Sequence, residues 1–351
     1  MSIVFGILLF SLVIFSHELG HFLTAKLFGV QVNEFSIFMG PAIAKWQRGE
    51  TLYAIRCIPF GGYCAMEGED ADSENPRAFG AAKWWKRLII LLAGSAVNFL
   101  VGLLLLGILY IPAKQVIVPE ITVMEEGSPV GGENGLQVGD RFLEIDGEKV
   151  YINQDFNVLM LINEGEVHDL VIRRGEEIVR LDDFVMKKAE FENPDGTKSM
   201  RYGFSFGMQD LSFGMKIELA WNTAMSYVRA VKLSLGMLFS GKAGMADLSG
   251  PVGIVQQMSA SADAADSVGG ALVNVTNMVA MLALNLAVMN VLPIPALDGG
   301  RAVCLLLTTA VEAIFKKKIN PKYEAYLHAG GMILLLILLA VITFKDIWNL
   351  F

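Results

Sequence analysis

Long apolar runs alternate along this chain with polar, turn-rich stretches. Charge-free segments extend over Met1–Ser16, Leu88–Ala113, Ser267–Leu297 and Ala325–Phe344, against the roughly 20 residues a helix needs to cross about 30 Å of hydrocarbon. The pattern predicts at least four membrane-spanning helices. Between the first two, Gly29–Asp70 mixes strand-like alternation at Gln31–Ile37 and Leu52–Ile58 with turn signals at Gly40-Pro41, Arg48-Gly49 and Gly61-Gly62. It reads as short strands and hairpins, and it is too apolar for an ordinary loop. Backbone at membrane depth must be buried in protein or line a cavity, so this segment is expected to dip into the bilayer.

Between the second and third spans, Gly127-Ser-Pro, Gly135-Leu136, Gly139-Asp140 and Asp146-Gly147 punctuate short apolar strands at Ile121–Met124 and Arg141–Ile145. A helix is predicted over Asn153–Ile162, then a hairpin of Val167–Ile172 with Glu177–Val185 turned at Arg174-Gly175. The result is a small mixed α/β module of about 75 residues, followed by a polar, turn-rich linker over Glu190–Gly203. In Lys216–Phe239 the polar residues Glu218, Asn222, Ser226, Arg229 and Lys232 recur at steps of three and four, one stripe of a helix. An amphipathic helix on the outer membrane surface is expected there, with a fifth span as the competing assignment. A glycine-rich return, Gly241–Gly253, and an Ala/Ser/Asp-rich connector lead to the third span.

Composition turns this pattern into a membrane protein: 54% of the 351 residues are hydrophobic and only 18% charged, with a mean hydropathy of +0.49. The net charge of −8 is uneven. Pro112–Met215 holds 20 acidic and 10 basic residues, whereas the rest holds 16 and 18, so an acidic module sits between helices. No basic stripe is available for a phosphate backbone, which disfavours nucleic-acid binding. Cys57, Cys64 and Cys304 are too few and too scattered for a disulfide framework or a cysteine zinc site. The N-terminus lacks a basic leader and a small-residue cleavage site, and is expected to be retained as the first span. Lys26, Lys83, Lys86, Arg87, Arg301 and Lys316, Lys317, Lys318 and Lys322 fall on one side of four alternating crossings, which the positive-inside rule makes cytoplasmic. The acidic module and both termini then lie outside.

His17, Glu18 and His21 interrupt the first span, where a free ionisable group costs several kcal/mol. The pattern His17-Glu-Leu-Gly-His21 sets two imidazoles one helical turn apart on one face, able to reach a single Zn²⁺, with Glu18 beside them as candidate base. A catalytic zinc site usually has a third protein ligand. His168 lies in the outer module and is excluded by topology; His328, near the cytoplasmic end of the fourth span, competes with Asp298. The latter follows Pro293 and Pro295, which break the third span on the same side as His17. Among the span asparagines Asn98, Asn274, Asn277, Asn285 and Asn290, interhelical hydrogen bonding accounts for all but Asn290, which lies two turns before Asp298 in the broken segment.

Taken in order, HELGH at His17–His21, Pro59-Phe-Gly-Gly-Tyr63 with Glu67-Gly68-Glu69, Lys86-Arg87 through Ala93-Gly94 to Asn98-Phe99, the Gly127-Ser-Pro to Asp146-Gly147 series, Ser249-Gly-Pro-Val-Gly-Ile254 and Asn290 to Leu297-Asp-Gly-Gly-Arg301 resemble one known family. It is the site-2 protease family of intramembrane zinc metalloproteases, in its bacterial form with one PDZ domain. The resemblance implies that His17, His21 and Asp298 bind one zinc ion, that Glu18 activates water, and that Asn290 helps hold the substrate or its oxyanion. It also implies that the β segment pairs with an unwound substrate strand, with Gly61, Gly62 and Pro293 as further substrate contacts. Ala65 and Ser95 stand where relatives often carry Lys and Pro, and Phe38-Met-Gly-Pro41 replaces a more glycine-rich version.

The expected fold is thus a polytopic α-helical membrane protein of about four spans, with a membrane-associated β segment and an inserted extracytoplasmic PDZ-like α+β domain. Its expected layout is a first membrane half over 1–112, the PDZ-like domain over 116–188, a linker over 189–214, a surface helix over 215–240 and a second membrane half over 241–351. The expected activity is zinc endopeptidase cleavage of membrane-spanning protein substrates in the bacterial cell membrane, with the active site toward the cytoplasm. Anti-sigma factors already trimmed outside and remnant signal peptides are the substrate classes implied by the resemblance; membrane lipid is the other partner, and no pattern bears on oligomeric state. The competing function is a zinc-dependent transporter or a non-proteolytic PDZ membrane protein in which Glu18 is a ligand or proton relay. A transport path is expected to show polar residues toward the outer face as well.

Overall fold

In the computed structural model of the chain, the described residues are 2–69, 73–163, 165–193, 196–244, 246–316 and 322–349. Asp70 of the predicted β segment and Lys317 and Lys318 of the predicted basic loop lie outside them. In chain order the elements are α1 (Ser2–Leu27), β1 (Val32–Arg48), β2 (Thr51–Met66), α2 (Trp84–Tyr110), β3 (Gln115–Met124), β4 (Asp140–Ile145), β5 (Glu148–Lys149), α3 (Asn153–Ile162), β6 (Val167–Arg174), β7 (Glu177–Val185), β8 (Ala189–Glu192), β9 (Lys198–Arg201), β10 (Phe204–Asp210), α4 (Phe213–Phe239), α5 (Pro251–Asp263), α6 (Val268–Met289), α7 (Asp298–Phe315) and α8 (Lys322–Trp348). Four of the described helices, α1, α2, α6 and α8, are long and apolar enough to cross a membrane. The chain divides into two compact units, Met1–Leu106 with Tyr227–Phe351, and Gly107–Ser226.

In the first unit, α1, α5 and α6 share a core of Val13, Met258, Val275, Val279 and Ala283. A second cluster joins the end of α1 to β1, α2 and α7 through Ala25, Val32, Phe35, Ile90 and Leu305. α8 is the outlier, exposing Ile333, Leu334, Leu336 and Ile337 along its length as a lipid-facing helix would.

The short strands expected in the β segment are in fact two long strands folded on themselves. Ala42–Arg48 pairs antiparallel with Thr51–Arg56, while Val32–Ile37 pairs with Gly62–Met66 on one side and lies against Leu52–Ile55 on the other. The bend falls at Phe38–Pro41, where Phe38 and Gly40 take positive φ. Arg56 fastens it: its guanidinium donates to Ser36 Oγ (2.8 Å), Gly40 O (2.6 Å), Glu34 Oε1 (2.6 Å) and Tyr63 Oη (2.8 Å). An Arg so placed uses its planar fork to hold three chain segments at once. Gly62–Met66 is left as an outer segment of this folded sheet.

The second unit is built on a sheet ordered β10-β3-β4-β6-β7, with β5 paired to β4. Its core of Ile121, Phe142, Ile145, Leu159, Leu170 and Ile172 is closed to solvent, and Phe142, Phe156, Phe204 and Phe206 pack ring against ring. Asp155, in the first turn of α3, accepts from the backbone N–H of Tyr151 (2.7 Å) and Ile152 (3.0 Å), satisfying donors that every helix start leaves open. The 189–214 stretch, expected as a linker, carries the β8–β9 hairpin and β10, which pairs antiparallel with β3.

α4 covers the expected amphipathic helix, but its polar stripe does not all face water. Ser226 and Arg229 are buried, and Ser226 Oγ donates to Asp155 Oδ1 at 2.5 Å. Two helices are absent from the sequence expectation. α5 replaces the connector: Pro251 supplies a preset φ at its start, and the Asp346 carboxylate accepts from the N–H groups of Gly250 (2.8 Å) and Gly253 (2.9 Å). α7 begins at Asp298 and runs on through Gly299 and Gly300, in the stretch between the third and fourth spans for which the sequence pattern predicts no element.

Candidate metal centre

His17 and His21 stand on the same face of α1, as their spacing of four requires. Across from them, α6 ends at Met289 and residues 290–297 form a compact loop instead of continuing the helix. The loop is closed by Gly299 N–H donating to Asn290 O (2.6 Å) and Ala296 N–H to His328 Nδ1 (3.0 Å). Ala296 takes φ +78° to make the turn. Gly299 and Gly300 have no room for a side chain: an added Cβ would lie 2.3 Å from Val291 O and 2.3 Å from Ile294 O. These two glycines let α7 start hard against the loop, which sets Asp298 in the first turn of α7, where the helix dipole favours a carboxylate.

The three side chains converge. His17 Nε2 and His21 Nε2 lie 3.2 Å apart, and Asp298 Oδ2 is 3.1 Å from the first and 3.2 Å from the second. Both histidines are buried. Asp298 Oδ2 is buried too, with no donor near it other than these imidazoles. Ligand atoms 2.0–2.1 Å from a tetrahedral zinc are about 3.3 Å from one another, so the donor set has the size of three corners of such a site. Two nitrogens and a carboxylate oxygen are also a donor set that zinc accepts. Among the described residues this is the one group of three metal-type ligands brought together.

Beside the cluster, the Glu18 carboxylate faces the backbone N–H of Cys64, and its Cγ would lie 3.4 Å from a Cβ on Gly62. The outer segment Gly62–Met66 therefore runs past Glu18. Asn290 Nδ2 lies 3.4 Å from His17 Nε2. Of the other residues expected at the site, Gly61 faces Met39, whose methyl a Cβ would meet at 2.7 Å, and Pro293 is exposed on the 290–297 loop. His328, the competing ligand, is engaged through Nδ1 by the Ala296 N–H instead.

Three contributions from α2 were not read from the sequence as parts of the site. His21 Nδ1 is 2.8 Å from Ile90 O, Asn98 Nδ2 is 3.3 Å from His17 Nδ1, and a Cβ on Gly94 would meet His21 Nε2 at 2.5 Å and His17 Nδ1 at 2.7 Å. Gly20 of α1 is matched to this crossing, since a Cβ there would lie 2.7 Å from Ala93 O. Residues 90, 94 and 98 recur every fourth position, and that periodicity opposite His17 and His21 was the available signal.

A family model described as peptidase family M50 matches residues 5–338. The chain is 35% identical to a protein of Fusobacterium nucleatum provisionally named a zinc metalloprotease, over 100% of both chains. It is 33% identical to a Clostridium acetobutylicum protein of the same provisional name, over 99% of this chain and 97% of the other. The regulator of sigma-W protease RasP of Bacillus subtilis is 26% identical over 100% of this chain and 99% of its own.

Proposed function

The chain belongs to peptidase family M50, and from that premise we propose that it is an intramembrane zinc endopeptidase acting on membrane-spanning segments of anchored proteins. The observation that carries this is the convergence of His17, His21 and Asp298, with Glu18 beside them, on helices of which α1 is apolar enough to span a membrane. His17, His21 and Asp298 hold the zinc. Bound there, zinc supplies Lewis acidity toward water and a peptide carbonyl.

The rest is done by the chain. Glu18 takes the proton of the attacking water and returns it to the leaving amine, a role that needs a carboxylate within one hydrogen bond of the reacting centre. Asn290 donates toward the carbonyl oxygen of the scissile bond. A substrate helix hides its amides in its own hydrogen bonds and must unwind to be cut. The outer segment Gly62–Met66 is the strand against which the released strand would add, so cleavage takes place with few amides left unsatisfied in hydrocarbon.

In this proposal the basic loops are cytoplasmic, and the 116–188 segment is an extracytoplasmic PDZ-like domain that filters substrates by the size of their outer part. The carboxylate and metal donors all belong to the first unit, consistent with an accessory role for the second. Membrane-anchored anti-sigma factors and remnant signal peptides fit as substrates, the sigma-W regulator name of the Bacillus subtilis relative being in keeping with the former.

The test is cleavage of a single-span model substrate by the purified, zinc-loaded protein in bilayers. Glu18→Gln is expected to keep its zinc and lose about 10²–10⁴ in rate, the usual range for a general acid–base group; a variant retaining near wild-type turnover would overturn the assignment of the base. Orientation is read separately in a cysteine-free background. Lys198→Cys should label from outside intact cells and Lys316→Cys only after permeabilisation.

A further inference from the structure

Asn98 lies on α2, in a helix apolar enough to span the membrane, and is closed to solvent. An amide held there must be fully hydrogen-bonded, so its partners define its task. They are His17 Nδ1, at 3.3 Å from Nδ2, and Ser16 Oγ, at 3.2 Å from Oδ1. The two ends of an amide are alike in shape, and proton count decides which faces which partner. Ser16 has one hydroxyl proton, and Val13 O at 2.8 Å is positioned to accept it. With that proton committed, Ser16 Oγ accepts, which turns Asn98 Nδ2 toward Ser16 and Oδ1 toward His17. His17 Nδ1 must then donate.

The neighbouring ligand follows the same rule. His21 Nδ1 lies 2.8 Å from Ile90 O, an acceptor with no proton to give, so His21 also carries its proton on Nδ1. Both imidazoles are thereby left with a lone pair on Nε2, the atoms that meet at Asp298. Gly94, between Ile90 and Asn98, keeps the face of α2 low enough for both rings to lie against it.

We infer that Asn98 is a positioning residue for the metal: it accepts from His17 Nδ1–H and so fixes the tautomer and ring plane that present Nε2 to the ion. The inference rests on the zinc-site assignment above. Outer partners of ligating histidines typically contribute 10–100-fold to metal affinity.

The experiment measures zinc affinity of the purified full-length protein by chelator competition, with activity not used as the readout. Asn98→Leu is expected to weaken zinc binding 10–100-fold, and Asn98→Asp, which keeps an acceptor, to recover most of it. Asn277→Leu removes a span amide that bonds Tyr227 Oη (3.0 Å) instead of a ligand, and is expected to leave affinity unchanged. Wild-type affinity in Asn98→Leu, or an equal loss in Asn277→Leu, would overturn the inference. Should Asn98→Leu fail to fold, ¹⁵N imidazole spectra of the zinc-loaded wild type decide: protonated Nδ1 on His17 supports it, and protonated Nε2 or Nδ1 bound to metal overturns it. Failure of the wild type to bind zinc at all would instead remove the zinc-site assignment itself.

Discussion

Two histidine–aspartate groups, one in each unit and each built on buried histidine, use the same residue types to opposite ends. In the second unit His168 Nδ1 lies 2.8 Å from Asp146 Oδ2 and its Nε2 lies 3.3 Å from Gly165 O. Asp146 also accepts from Asn163 Nδ2 (2.8 Å) and the Asp169 N–H (2.9 Å), so both of its carboxylate oxygens have donors of their own. The group is a closed hydrogen-bond network that ties a turn to a strand. In the first unit, His17, His21 and Asp298 bring three acceptor atoms together, and the donors of both rings point away toward α2. Buried histidine alone does not signify a metal; what distinguishes the two is whether the lone pairs are already spoken for.

The contrast is broken most severely by removing the converging atoms. His17→Ala, His21→Ala and Asp298→Ala should each abolish stoichiometric zinc in the purified protein, measured by elemental analysis, whereas His168→Ala and His328→Ala should leave it at the wild-type level. Zinc retained by Asp298→Ala and lost from His328→Ala would mean that the wrong third ligand has been chosen. Gly94→Ala should act next in size. Its methyl must displace both imidazoles, so zinc affinity should fall with no donor atom removed, and an unchanged affinity would show that the rings have room to move.

A smaller effect is expected where the network is closed. His168→Ala strips Asp146 of a donor and should cost about 1–3 kcal/mol of local stability, read as faster hydrogen exchange in β6 and β7 at unchanged zinc content. The smallest change comes from pH. Burial pushes the Asp146 carboxyl upward, but hydrogen bonds from His168, Asp169 and Asn163 outweigh it and hold the carboxyl below its ordinary value. Its stabilisation is therefore complete above the ordinary Asp pKa of about 3.9 and is lost as pH falls through the lower folded value. Exchange protection of β6 should drop over that acidic interval, and Asp146→Asn should flatten the drop.

Local rules explain why parts of this molecule were legible beforehand. The bounds of α3, Asn153–Ile162, follow from one amphipathic stretch with its own Asp155 at the start, and the β6–β7 hairpin from a Gly175 turn. HELGH was legible because a helix converts a spacing of four into one face, and Asp298 because two prolines end a span just before it. α5 was missed because its cap, Asp346, comes from the far end of the chain. α7 was missed because the legible signal ends at the two prolines, and Gly299 and Gly300, whose use is to let two backbones touch, do not signal a helix start. Asn98 looked like one of five span asparagines; only the position of His17 against it separates it from the others.

Spanning a membrane, α8 would present its exposed flank to lipid, where dispersion contacts with fluid chains do not prefer one depth over another. It is nonetheless fixed by two polar latches, His328 on Ala296 near one end and Asp346 on Gly250 and Gly253 near the other. They stand 18 residues apart, about 27 Å of helix, close to the full thickness of the hydrocarbon. A slide of even one residue along the axis, 1.5 Å, would stretch both at once. The helix thus behaves as a ruler pinned near each end, free to meet whatever lipid surrounds it while the 290–297 loop that leads into Asp298 is kept at a constant depth.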